Sequence, residues 1–196
     1  DCYQLTPEAV LALADDNSPA FVARGMNAFA SMFMDLDKIK TAYKGDGGMS
    51  WGEHHPCLFS GTEWFFRPGY LANLVPAWIP ALEGVEAKLQ SGAKVADIGC
   101  GHGASTVLMA QSFPASTFAG SDYHEGSIEA ARKHAAEAGV ADRVSFETAS
   151  AQTFAGTGYD LVATFDCLHD MGDPVGAARH VREALTPDGT WLVVEP

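Results

Sequence analysis

The stretch from residue 95 to residue 106, VADIGCGHGAST, constrains the fold more than any other part of the chain. An apolar run ends in Asp97, and Gly99, Gly101 and Gly103 follow at alternate positions. Ala104, Ser105 and Thr106 then lead into the apolar run Val107, Leu108, Met109 and Ala110. That order is strand, tight turn, helix. Glycine lets the turn take positive φ and lets a ligand approach bare backbone. In a doubly wound sheet such a turn marks the crevice at the carboxyl ends of the strands, where nucleotide-like ligands bind. Gly99, Gly101 and Ala104 also satisfy the G-x-G-x-x-G/A dinucleotide spacing. Asp97 tilts the choice. It would face a pyrophosphate at close range, and two anions repel, whereas a cationic ligand is favoured there. The bland alternative is a glycine-rich turn with no ligand.

The pattern from Gly84 onward is α/β. Strands are expected at Lys94–Ile98, Thr117–Ser121, Val144–Thr148, Tyr159–Phe165 and Thr190–Val194. Helical patterns fall between them, at about 105–113, 127–138 and 175–185. Strands alternating with helices at such intervals give a parallel sheet. Asp122 stands at the end of the second strand, 25 residues after Asp97. An acid about 20 residues past a glycine turn accepts hydrogen bonds from a ribose diol. After the fourth strand comes FDCLHDMGDP, which brings Asp166, Cys167, His169 and Asp170 to the same end of the sheet.

These residues resemble a known family. VADIGCGHGAST is similar to motif I of class I S-adenosylmethionine-dependent methyltransferases. The resemblance implies a Rossmann-like, doubly wound, mainly parallel sheet with S-adenosyl-L-methionine as cofactor. It places Asp97, Gly99, Cys100, Gly101 and Gly103 around the cofactor, with Asp122 on the ribose and Tyr123 beside the adenine. The turn after strand three, Ser150-Ala151, would face the adenine amino group. A serine stands where the family often has an acid, but its hydroxyl can still accept one hydrogen bond. Asp166 would border the same crevice. Phe154 is read as packing either on the adenine or in the core.

The L-H-D run at 168–170 resembles the L-H-D-W segment of small-molecule O-methyltransferases, with Met171 where tryptophan is usual. By that resemblance His169 is a general base for an acceptor hydroxyl and Asp170 its neighbour in the catalytic turn. A hydroxyl is a poor nucleophile until its proton leaves, and an imidazole titrates near neutrality. A histidine that merely lines the pocket stays open as an alternative. Two other functions stay open as well: a non-catalytic regulator that senses S-adenosylmethionine or another ligand, and a nicotinamide-dependent oxidoreductase on the same glycine turn.

Residues 1–83 read as a helical, aromatic-rich cap or connecting region, and 84–196 as the cofactor-binding domain. Thr6-Pro7-Glu8 starts a first helix, and Ser18-Pro19 is expected to start a second. Residues 44–56, KGDGGMSWGEHHP, are a loop by composition. Arg67-Pro68-Gly69 is expected to interrupt the aromatic run that follows. Trp51, His54, His55 and Phe65 are candidate acceptor contacts. His54, His55 and Cys57 raise a metal reading, but adjacent side chains on an extended segment point opposite ways, so no metal site is expected.

The segments WGEHHP and WFFRPGY resemble bacterial methyltransferases with a winged-helix segment upstream, of which Tyr3-Gln4-Leu5-Thr6 would be the tail. That resemblance allows a homodimer. The family sheet has seven strands, so the strands after the fifth are expected to belong to the natural protein beyond residue 196.

Composition sets outer limits. A net charge of −13, from 12 basic and 25 acidic residues, argues against nucleic acid as a partner of this segment. Four scattered cysteines with no C-x-x-C pair suggest reduced thiols and a cytoplasmic protein. No apolar run approaches the ~20 residues that span a bilayer, so no membrane partner is expected. The expected partner is a small-molecule methyl acceptor.

Overall fold

The computed structural model describes residues 3–45 and 47–196. Asp1, Cys2 and Asp46 lie outside the described residues. Cys57, Cys100 and Cys167 are free thiols. The chain forms two compact units that meet at Ala72/Asn73, ahead of the boundary expected near residue 83. The reason lies in the turn of π-helix at Leu74–Trp78. Leu74 and Ile79 are fully buried, and Trp78 stacks on Phe165 at 6.2 Å, so this segment belongs to the core of the second unit.

The first unit is helical. Helix α1 spans Pro7–Leu13, and the Thr6 hydroxyl accepts the Ala9 amide at its start. Helix α2 spans Met26–Met34 and α3 spans Leu36–Lys44, with a break at Asp35. The expected helix start at Ser18-Pro19 is corrected. There the Ser18 hydroxyl accepts the Ala20 amide, its carbonyl accepts the Phe21 amide, and the chain closes into a turn. A 3₁₀ turn at Trp51–Glu53 punctuates the loop, and Ser50 and Glu53 cap it reciprocally. Helix α4 spans Pro56–Asn73 and runs straight through Pro68, correcting the expected interruption. Proline removes one helical hydrogen bond. The rest of this long helix, anchored by buried Phe59 and Gly61, carries it past the gap.

The second unit is a five-stranded, all-parallel sheet in the order β3-β2-β1-β4-β5. Its strands are β1 Lys94–Ile98, β2 Thr117–Asp122, β3 Val144–Thr148, β4 Tyr159–Phe165 and β5 Leu185–Val194. Helices α5 Val85–Ser91, α6 Ala104–Ser112, α7 Glu125–Glu137 and α8 Pro174–Ala184 flank it. This is the doubly wound, Rossmann-like arrangement that the sequence resemblance implied. Strands β1 and β4 are buried almost throughout, as expected where helices cover both faces of a parallel sheet. Against one face, Ala96, Ile98 and Val162 pack with Phe154, Ala177 and Val181. Strand β5 begins earlier than expected. Leu185 pairs with Tyr159 and Thr190 with Leu161, so the turn Thr186–Gly189 bulges out of a strand already under way. Among the described residues no helix is long and apolar enough to cross a membrane.

β1 pairs with β2 on one side and β4 on the other, so the order of the sheet reverses beside β1. That is the topological switch point, where ligands bind in open α/β sheets. The glycine turn follows β1 and the His169 turn follows β4, on adjacent strands.

Candidate active site

Asp97 is the next-to-last residue of β1 and lies inside the protein, 1% exposed. Its Oδ2 accepts the hydroxyls of Ser105 and Thr106, both at 2.6 Å, from the first turn of α6. Its Oδ1 is buried with no partner. Burial pushes the Asp97 carboxyl up to about 6, against the two hydroxyls, and repulsion from Asp122 adds to the rise. An orphaned buried carboxylate oxygen is costly unless a donor or cation arrives.

The glycines after it keep positive φ: 72° at Gly99, 52° at Gly101 and 77° at Gly103. A Cβ on Gly99 would stand 2.7 Å from Cys167 Sγ, whereas one on Gly101 would meet nothing within 4 Å. Gly99 therefore allows two turns to touch, and Gly101 leaves open space. The Gly99 and Cys100 amides both donate to the Ser121 carbonyl, at 2.8 and 3.0 Å. The Cys100 side chain is buried, and burial holds its thiol well above its ordinary range.

Asp122, 9% exposed, closes the turn from β2. Its Oδ2 accepts the Gly101 amide at 3.0 Å and its Oδ1 the His124 amide at 2.9 Å. Each oxygen keeps a second lone pair for a further donor. Tyr123, beside it, is 55% exposed. The Ser150 hydroxyl pairs with the Thr153 hydroxyl at 2.9 Å, while Ala151 is buried. Phe154 lies in the core, against the His180 ring at 4.4 Å, which decides between its two sequence readings.

At the end of β4, Asp166 takes φ +52°, and its amide donates to the Val194 carbonyl at 2.8 Å. Burial raises its carboxyl above the ordinary range against the pull of His169, with repulsion from Glu195 and Asp170 adding to the rise. Cys167 Sγ lies 3.3 Å from the Ile98 carbonyl. Burial and then the carboxylates of Asp97 and Glu195 push this thiol up to about 12, so it stays protonated.

A 3₁₀ turn over Leu168–Asp170 carries His169. Its Nδ1 lies 2.5 Å from Glu195 Oε2. An ionised carboxylate only accepts, so Nδ1 is the donor, and in the neutral ring Nε2 keeps its lone pair. The hydrogen bond to Glu195 raises the His169 pKa above its ordinary value. Glu195 Oε1 accepts the Cys167 and Leu168 amides at 3.2 and 2.8 Å. Burial works against the charge on Glu195, but the bonds from His169 and the two amides hold its carboxyl below the ordinary range. Asp170, largely exposed, stands 3.6 Å from His169 Nε2. Sequence reasoning missed Glu195. Its only signal was a carboxylate directly after the last strand.

The remaining candidates lie in the first unit. Buried Asp35 gathers the WGEHHP turn: its Oδ2 accepts the His55 amide at 2.7 Å and lies 3.4 Å from His54 Nδ1. Trp51 packs edge-on against Phe59 at 5.5 Å, and Phe65 against Phe66 at 5.1 Å. Phe65 is 63% exposed.

Comparison with known proteins agrees with this architecture. Residues 89–196 match the family model described as a methyltransferase domain. A ubiquinone biosynthesis O-methyltransferase of Dinoroseobacter shibae is 30% identical over 144 residues, 67% of this chain and 57% of that protein. The chain spans about half the length of the curated relatives it matches. A protein of Nostoc punctiforme, proposed to be an O-methyltransferase, shares the fold over 97% of this chain and 57% of its own, with TM-score 0.68 and 23% identity. A SAM-dependent methyltransferase of Geobacter sulfurreducens, solved with S-adenosyl-L-homocysteine, aligns over 61% of this chain and 47% of its own, with TM-score 0.50 and 26% identity. The chain belongs to the class I S-adenosyl-L-methionine-dependent methyltransferases.

Proposed function

We propose that this protein transfers a methyl group from S-adenosyl-L-methionine to a hydroxyl oxygen of a small-molecule acceptor. The observation that carries the hydroxyl is the His169–Glu195 pair, placed on the strand next to the glycine turn. The name of the Dinoroseobacter relative, an O-methyltransferase, supports the same acceptor atom.

The residues around the glycine turn fit the cofactor. Asp97 offers an unpartnered buried oxygen to a cationic group, Gly101 offers clear space, and Asp122 keeps lone pairs for a ribose diol. Gly99, Cys100 and Gly103 complete the turn, with Tyr123, Ser150, Ala151 and Asp166 as proposed flanking contacts. When bound, S-adenosyl-L-methionine supplies an electrophilic methyl carbon on a sulfonium. Nε2 of His169 accepts the acceptor's hydroxyl proton as oxygen attacks. Glu195 fixes the tautomer and stabilises the imidazolium that forms. Asp170, near Nε2, orients that edge of the ring. Little covalent work remains for the protein beyond bringing two molecules to near-attack distance.

Trp51, His54, His55 and Phe65 are proposed acceptor contacts on their chemistry alone. A homodimer is part of this proposal, supported by the exposed Phe29, Met32 and Phe33 of α2. So is a cytoplasmic setting, supported by three free thiols. The net charge of −13 supports a partner other than nucleic acid.

The test is calorimetry with S-adenosyl-L-homocysteine, followed by transfer of labelled methyl from S-adenosyl-L-methionine to a panel of phenols and aliphatic alcohols. Binding with transfer to hydroxyl oxygen supports the proposal. Binding without transfer to any hydroxyl turns the protein into a sensor, and transfer to nitrogen or carbon alone removes the base role.

A further inference from the structure

The ends of β4 and β5 bring three ligating side chains together. One ligand atom each from Asp166, His169 and Glu195 lies within 4.8 Å of the other two. The backbone fixes two of the three. Asp166 is the only non-glycine residue with positive φ among the described residues, and its amide is held by the Val194 carbonyl. Glu195 gives Oε1 to two amides, which leaves Oε2 beside His169 Nδ1. No lysine or arginine among the described residues forms an ion pair with Asp166, Asp170 or Glu195. His54 and His55, which raised the metal question in the sequence, take no part.

We propose that Asp166, His169 and Glu195 form a binding site for a first-row divalent cation of the zinc and cobalt type. Two carboxylates and one imidazole suit such an ion better than magnesium, which prefers oxygen and water. Metal–ligand bonds of about 2.0–2.2 Å put three ligand atoms roughly 3–3.5 Å apart. Asp166 must therefore draw inward and the His169–Glu195 contact must open slightly, both within reach of side-chain rotation. Three protein ligands leave a coordination position open.

Occupation changes His169. Without the cation, Nδ1–H faces Glu195 and Nε2 holds the lone pair. With the cation on Nδ1, the neutral ring carries its one proton on Nε2, and an imidazolium releases one proton to solvent. Nε2 then presents a proton toward the Asp170 carboxylate, 3.6 Å away. The cation thus competes with proton acceptance. That consequence rests on the base role proposed above, while the site itself does not.

The test is titration of the chelator-treated protein with Co²⁺, read by visible absorption and calorimetry. The expected result is one Co²⁺ per chain, displaced by Zn²⁺, with binding weakened tenfold or more in Asp166→Asn and in Glu195→Gln. Circular dichroism checks that each variant is folded, and ¹⁵N shifts of the His169 ring report a ligated Nδ1 and a protonated Nε2. Absence of saturable binding in the parent protein overturns the site, as does binding that neither substitution weakens. Because the readout needs no acceptor, Co²⁺ binding in a protein that transfers no methyl keeps the site and removes the base role. Methyl transfer without cation binding does the reverse.

Discussion

Glu195 Oε2 stands 2.5 Å from His169 Nδ1, joining the ends of two neighbouring parallel strands across 26 residues of sequence. The same carboxylate holds the backbone of the His169 turn through the Cys167 and Leu168 amides. One side chain therefore sets both the place and the tautomer of the imidazole.

His169→Ala is expected to lower methyl transfer by about 10²–10⁴-fold, the usual contribution of a general base. Affinity for S-adenosyl-L-homocysteine, measured by calorimetry, should stay unchanged. Glu195→Gln can keep the two amide bonds but turns an NH₂ group toward Nδ1. That forces the proton onto Nε2, so a loss of transfer is expected with the turn still in place.

The bond to Glu195 raises the His169 pKa above 6.5. A base works only when unprotonated, so the rate should rise with pH through that raised value and level off above it. In Glu195→Gln the rising limb should move to lower pH. A pH–rate profile of the two proteins measures the displacement.

Asp97 is a carboxyl pushed up by burial, to about 6 against an ordinary 3.8. Its contribution to stability is present below about 3.8 and is lost as pH rises toward 6, because the unfolded chain ionises first. A cationic ligand reverses the preference by favouring the ionised form. Affinity for S-adenosyl-L-methionine should therefore fall as pH drops through 6, with proton release on binding seen by calorimetry in two buffers. Asp97→Asn should flatten that dependence and cost about 10–100-fold in affinity, the range of a hydrogen bond to a charged group.

Gly99→Ala meets two penalties: a left-handed backbone at φ 72°, and a Cβ within 2.7 Å of Cys167 Sγ. Left-handed geometry costs about 1–2 kcal/mol and overpacking about 1–3 kcal/mol. Gly101→Ala, at φ 52° with open space around it, should show only the first. Urea unfolding of the two variants compares them directly.

In the first unit, Asp35 is buried and its carboxyl held below the ordinary range. The His55 amide is the main cause, with Lys38 and His54 assisting against burial. A depressed carboxyl stabilises above its unfolded value near 3.8 and loses that contribution as pH falls. Asp35→Asn should lower the melting temperature at neutral pH and shrink its acid sensitivity, as followed by tryptophan fluorescence.

Much of the second unit was legible because its strands are short apolar runs bounded by acids and glycines. Lys94–Ile98, Val144–Thr148 and Tyr159–Phe165 fall where periodicity places them. Helix starts were less secure. Ser18-Pro19 has the residue types of a cap, but Phe21 is buried edge-on to Trp64 at 5.8 Å, and that packing turns the chain before a helix can begin. Pro68 reads as a break, yet it is buried inside α4. His169 could be singled out from its own neighbours in sequence. Glu195 could not, because its part comes from the pairing of β4 with β5 and not from anything local.

The contact between Gly99 and Cys167 has a mechanical side. The wall built after β1 and the wall built after β4 are gauged apart by one sulfur atom and one missing methyl group. Added bulk at either position therefore presses on both walls at once.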